Sequence, residues 1–81
     1  MRVKVRFFGP LRDVAGGGEE SVELQEGGGT GALTAALVLR HPGLDEYVGD
    51  LKIAVNQRIA NGEVALKEGD EVALLPPVSG G

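Results

Sequence analysis

The residues best suited to chemistry stand at the end of the chain, in Pro76-Pro77-Val78-Ser79-Gly80-Gly81. Two prolines lack N–H donors and hold a polyproline-like direction, so sheet pairing must stop near Leu75 and the remainder projects away. Six residues at about 3.3 Å each reach roughly 20 Å, enough to enter another protein's cleft. Gly80 and Gly81 have no side chains, so a narrow channel can close on their backbone and present a terminal carboxylate at a reaction centre. A bare carboxylate is a poor acyl donor, because its charge is delocalised and its leaving group is bad. Conversion to an acyl-adenylate with ATP removes both obstacles, and a sulfur, thiol or amine nucleophile can then attack. The same six residues also read as a frayed end of small residues, and the sequence leaves both readings open.

Other chemistry is thin. With no cysteine, disulfides, thiolate metal sites, persulfides and cysteine nucleophiles are excluded, and a single histidine removes multi-histidine metal centres. We therefore expect no metal site. His41 stands between Arg40 and Pro42 with no carboxylate in sequence range, which makes it a helix-end residue. Gly27, Gly29 and Ala32 form a G-x-G-x-x-A string, with Asp50 about 20 residues on as the ribose acid of a dinucleotide fold. The strand before it alternates with Glu20 and Glu23 instead of being buried on both faces, and the chain has no room for a doubly wound sheet. The pairs Glu19-Glu20 and Asp45-Glu46 sit beside glycine or Pro-Gly turns and read as solvated loops.

Eighty-one residues are one domain's worth of chain. A domain this small buries only about 60 to 65% of its unfolded surface, so little is left over to enclose an active site. Eight Lys and Arg against twelve Asp and Glu give a net charge of −4, which argues against nucleic acid as a partner. The charge is uneven, since Arg2, Lys4, Arg6 and Arg12 put four positive charges in the first twelve residues. Such a bipolar surface suits docking to proteins. No run approaches the 18 to 20 apolar residues, roughly, of a membrane span, and the alternating start does not build a signal peptide. We expect a cytoplasmic chain with no membrane partner.

The elements that must position the tail follow from periodicity. Residues 2–8 alternate, with Val3, Val5 and Phe7 on one face, and Gly9-Pro10 stops the strand before a helical turn at residues 11–14. Residues 20–24 alternate again and predict an antiparallel pair with the first strand. Thr30 is the expected N-cap of a helix through Arg40, with Leu33, Ala36, Leu37 and Arg40 on one stripe, ended by Pro42-Gly43. Leu44, Tyr47 and Val48 make a short turn over the core. Residues 52–56 read as a strand, 57–59 as its short partner, Asn61-Gly62 as a turn, and Lys67-Glu68-Gly69-Asp70 as a second turn feeding residues 71–75. That last run is the most apolar strand, continuous from Val72 to Leu75, which predicts a central strand parallel to the first. The fold class is α+β, a mixed sheet covered on one face by one main helix.

At this point the chain resembles a known family, the ubiquitin-like sulfur carriers of the MoaD and ThiS type, in the branch that forms the small subunit of molybdopterin synthase. Arg6-Phe7-Phe8-Gly9 with Leu11-Arg12-Asp13 is similar to the family's opening strand and turn, and Ala54-Val55-Asn56 to its middle strand. Gly69-Asp70-Glu71-Val72-Ala73 with the Pro-Pro-Val-Ser-Gly-Gly ending is the specific part. One departure lies at Gly27-Gly28-Gly29-Thr30-Gly31-Ala32, where the family usually has a β-branched residue after the threonine. The resemblance implies a β-grasp domain over residues 1–75 and an extended, flexible tail over 76–81. It implies that a ubiquitin-activating-type adenylyltransferase uses ATP to adenylate Gly81. The terminus then becomes a thiocarboxylate, enters the large synthase subunit and gives sulfur to cyclic pyranopterin monophosphate. No cofactor is expected on this chain itself.

Three further expectations concern contacts. Phe8 with whichever of Leu74 and Leu75 faces away from the helix should form an apolar partner-binding patch at the tail root. Arg12 should lie near Pro76 and Pro77 if the first and last strands are parallel, available to tail carbonyls or to a partner's carboxylate, or else paired with Asp13 or Glu71. Carriers for tRNA thiolation or thiamine synthesis, protein modifiers and non-covalent β-grasp adaptors share the general plan and remain as alternatives.

Overall fold

The structure, a computed structural model, describes residues 1–77. Strand β1 (Arg2–Phe7) alternates strictly, its odd positions buried and its charged even positions exposed, and pairs antiparallel with β2 (Glu19–Glu23). Between them lies α1 (Pro10–Ala15), with Pro10 pre-set for its first turn and Gly16 ending it at φ 75°. Helix α2 (Thr30–Arg40) follows, then 3-10 turns at Pro42–Glu46 and Val48–Asp50, the hairpin β3 (Lys52–Val55) and β4 (Arg58–Ile59), and β5 (Glu71–Leu75). The sheet order is β2-β1-β5-β3-β4. β5 is central and parallel to β1, as its apolar run from Val72 to Leu75 predicts, and it is antiparallel to β3.

One face of this sheet makes the core. Val3, Val5 and Phe7 of β1, Val22 of β2, and Val72 and Leu74 of β5 pack in one cluster with Leu33 and Leu37 of α2. Leu11 from α1 and Leu44 from the first 3-10 turn close the cluster, each 0 or 1% exposed. Each such side chain contributes about 1.5–3 kcal/mol of transfer free energy.

Two local features depart from the sequence expectation. The first is the start of α2, where Gly29 is the N-cap and Thr30 the first helical residue, with no side-chain cap. The orphan donor is satisfied from far along the chain: Gly31 N donates to Glu63 Oε1 at 3.0 Å, while the Thr30 hydroxyl accepts from Val64 N at 3.2 Å. A Cβ at Gly31 would lie 2.8 Å from that carboxylate oxygen, and one at Gly29 2.8 Å from Val64 O. The glycine-rich loop, including the departure from the family's β-branched residue, thus makes room for Glu63.

The second is the reversal between β3 and β4, for which Asn56 and Gln57, expected as the adjoining ends of the two strands, instead form the turn with φ of 49° and 71°. Positive φ at both central residues is the type I′ requirement of a two-residue hairpin. Asn56 is held there by its own side chain, whose Oδ1 accepts from Glu71 N at 3.0 Å and whose Nδ2 donates to Asp70 Oδ1 at 3.0 Å.

Asp70 also accepts from Lys67 N at 2.8 Å. The hydrogen bond from Asn56, followed by that from the Lys67 amide, holds its carboxyl below the ordinary value of 3.8. A lowered folded-state pKa contributes stability above the unfolded pKa, and that contribution is lost as pH falls through the folded value. Urea unfolding of the wild type from about pH 6 down to pH 2 should therefore lose stability more steeply below about pH 4 than the Asp70→Asn variant does. Equal slopes would show that this turn carries no acid-sensitive stability.

Candidate functional site

The parallel register of β1 and β5 fixes where the tail begins. Phe7 stands opposite Leu74, so the C-terminal ends of both strands reach the same edge of the sheet. The pairing of β5 with β3 ends at Lys52 and Leu75. Pro76 then packs against Gly9, where an added Cβ would lie 3.1 Å from Pro76 Cγ and where φ is 57°. Gly9 is required both by its left-handed backbone and by the proline beside it. Pro76 is half-buried, Pro77 is exposed, and neither can donate to the sheet. Val78, Ser79, Gly80 and Gly81 lie outside the described residues.

Strand alternation separates the two leucines. Leu74 is 1% exposed and belongs to the core, which removes it from the partner-binding surface expected from sequence. Leu75, half-buried, falls on the opposite face with Ala73. Across the sheet Ala73 is in register with Ala54, and Ala54 with Ile59, which is 53% exposed. Phe8, just past the end of β1, is 40% exposed. An apolar strip from Leu75 through half-buried Ala73 and buried Ala54 to Ile59 therefore adjoins the tail root, with the exposed Lys52 in register beside Leu75. Sequence reading missed Ile59, whose signal was a large aliphatic residue on a two-residue edge strand. The other half of this face is polar, with Arg2–Glu23 at 3.0 Å and Lys4–Glu19 at 3.5 Å.

Arg12 occupies the turn beside this root, its amide donating to Gly9 O at 3.1 Å. Among the described residues it makes no ion pair and no hydrogen bond to Pro76 or Pro77. The expected partner Glu71 lies instead 3.8 Å from Arg6. The Arg12 guanidinium lies over Gly18, in an open depression of about 510 Å³ lined by Arg6, Phe7, Phe8, Arg12, Gly18 and Glu19.

The remaining candidates have structural explanations. His41 Nε2 is 2.7 Å from Glu20 Oε1, and Arg40 is 3.1 Å from the other oxygen, so the C-terminal end of α2 is tied to β2. The carboxylate absent from sequence range is supplied by the fold. The G-x-G-x-x-A string leads into an α2 N-terminus where Glu63 already sits, in the place a phosphate would need. A larger apolar groove of about 680 Å³ runs between α2 and Leu51 and Ile53, with Asp45 its one ionisable group.

A mixed five-stranded sheet gripping one main helix, with the last strand central and its end leading into the C-terminal segment, defines the ubiquitin-like β-grasp class. The chain belongs to the ThiS family, which matches residues 5–81. It is 42% identical over 83 residues to the molybdopterin synthase sulfur carrier subunit of Chlamydomonas reinhardtii, covering 100% of both chains. The structure of SAMP1, the small archaeal modifier protein 1 of Haloferax volcanii, matches with a TM-score of 0.90 at 31% identity over 100% of both chains. A complex of subunits 1 and 2 of molybdopterin-converting factor from Helicobacter pylori contains a chain matching with a TM-score of 0.73 at 34% identity, again over 100% of both. Among the described residues no helix is long and apolar enough to cross a membrane.

Proposed function

We propose that this chain is the sulfur carrier subunit of a molybdopterin synthase. The observation that carries the reading is the exit of central strand β5 at the edge where Pro76 meets Gly9, beside an apolar face that a partner can cover. A ubiquitin-activating-type adenylyltransferase joins the Gly81 carboxylate to AMP from ATP, releasing pyrophosphate. A sulfur donor displaces AMP and leaves a thiocarboxylate. The tail then enters the large synthase subunit, where the thiocarboxylate sulfur bonds to carbon of cyclic pyranopterin monophosphate and water cleaves the acyl–sulfur bond, leaving the sulfur on the pterin and a carboxylate on Gly81. The domain, residues 1–75, docks through Phe8, Leu75 and the strip reaching Ile59, while residues 76–81 act as the substrate arm. Nothing in this scheme requires a cofactor on the chain itself. The subunit complex from Helicobacter pylori supports a large-subunit partner.

A second reading, a protein modifier joined to lysines, is favoured by the match to small archaeal modifier protein 1. The two separate when the thiocarboxylated chain is mixed with large subunit and cyclic pyranopterin monophosphate. Molybdopterin should form only when all three are present. Absence of product, together with covalent ladders on cellular proteins that depend on Gly81, would favour the modifier.

A further inference from the structure

The three consecutive glycines after α1 stand in three different environments. Gly16 takes φ 75° to end the helix, a conformation that disfavours a side chain. Gly17 is not in the left-handed region, and a Cβ there would meet nothing within 4 Å. Gly18 is also outside the left-handed region, so the backbone does not demand glycine, but a Cβ there would meet Arg12 Nη2 at 3.3 Å and Cζ and Nε at 3.4 Å. Three atoms of the guanidinium, Nε, Cζ and Nη2, therefore lie close against the position that a side chain at Gly18 would occupy.

That contact has a consequence for charge. Of the four cations in the first twelve residues, Arg2, Lys4 and Arg6 face Glu23, Glu19 and Glu71 at 3.0, 3.5 and 3.8 Å. Arg12 alone of the four has no carboxylate within ion-pair distance among the described residues. Its planar fork is ordered by packing instead of by a salt bridge, so its donors stay available. The surrounding depression also holds Arg6, whose weak pairing at 3.8 Å leaves it able to share an anion, and Glu19, which Lys4 balances. A carboxylate engaged bidentately by Arg12 fits this arrangement.

We propose that Gly18 is a positioning residue that presets Arg12 as a receptor for an acidic side chain on the protein that adenylates the tail. This rests on the carrier reading above. In the carrier reading the six residues after Leu75 enter the partner extended, a span of roughly 20 Å, so the anion is assigned to the partner's surface and not to the reacting centre. Arg12 and Gly18 therefore act on docking, through KM and its salt dependence, and leave the chemical step alone. A valine at Gly18 would not be forced into the left-handed region, and the atoms its Cβ meets are the free end of a flexible side chain, so the fold should be retained.

The test uses the full chain with an adenylyltransferase that turns over the wild type, reading KM and kcat for adenylate formation across a salt series, with thermal melting as the folding control. Gly18→Val and Arg12→Gln should each raise KM about tenfold, with kcat within about twofold of wild type, and should flatten the salt dependence alike. The double variant should be no worse than either single one, because both remove one interaction. Arg12→Lys should recover part of the loss, since the charge remains but the fork does not. Gly17→Val, in open space one residue away, should behave as wild type. Wild-type KM for Gly18→Val, losses that add in the double variant, or an effect confined to kcat would overturn the proposal. Failure of the wild type to be adenylated by any such enzyme would overturn the carrier reading, and this inference with it.

Discussion

Deleting Gly81, or adding one residue after it, should abolish adenylate formation and sulfur transfer, a loss of at least about a thousandfold, because the reacting carbon is then displaced from a site that depends on orientation. The thermal midpoint should not move, since the core cluster is made by residues up to Leu74. In a chain without cysteine no thiol can substitute as the sulfur acceptor. Sulfur transfer by the extended form without prior trimming would overturn this assignment.

The second large effect separates two adjacent leucines by what each one changes. Leu74→Ala should cost about 2–5 kcal/mol of stability, the range for truncating a buried leucine, because Leu74 is packed among core side chains at 1% exposure. Leu75→Glu should leave the urea midpoint nearly unchanged and weaken binding to the large synthase subunit about a hundredfold, by placing a charge in an apolar contact. Ile59→Asp, at the far end of the strip, should weaken binding in the same direction. Unchanged affinity of Leu75→Glu beside a large stability loss would show that Leu75 is a core residue.

Sheet and helix were legible because their signals are local. The alternation of Val3, Val5 and Phe7 appears unchanged as the buried face of β1, and the continuous apolarity of residues 72–75 correctly implied a central strand parallel to the first. The opening of the tail was legible for the same reason, since Pro76 and Pro77 end sheet pairing whatever surrounds them. What the sequence concealed depends on residues far apart in the chain. Glu63 caps a helix that starts more than thirty residues earlier, and no local pattern announces it. The Asn56-Gln57 turn contains no glycine, and its stabilising partners, Asp70 and Glu71, lie in the next loop and strand. Glu20 reaches His41 across 21 positions. The outward strip from Leu75 to Ile59 required the register of three strands, which periodicity alone does not supply. The role of Gly18 appeared only once the Arg12 guanidinium was seen to lie on it.

The most direct measurement is the intact mass of the chain after incubation with a ubiquitin-activating-type adenylyltransferase, ATP and a sulfur source. A carrier should gain the mass of one sulfur less one oxygen, the gain should require ATP, and fragmentation should place it on Gly81. An unchanged mass with every activating enzyme tried, or the same gain on a chain lacking Gly81, would contradict the assignment of this protein as a sulfur carrier.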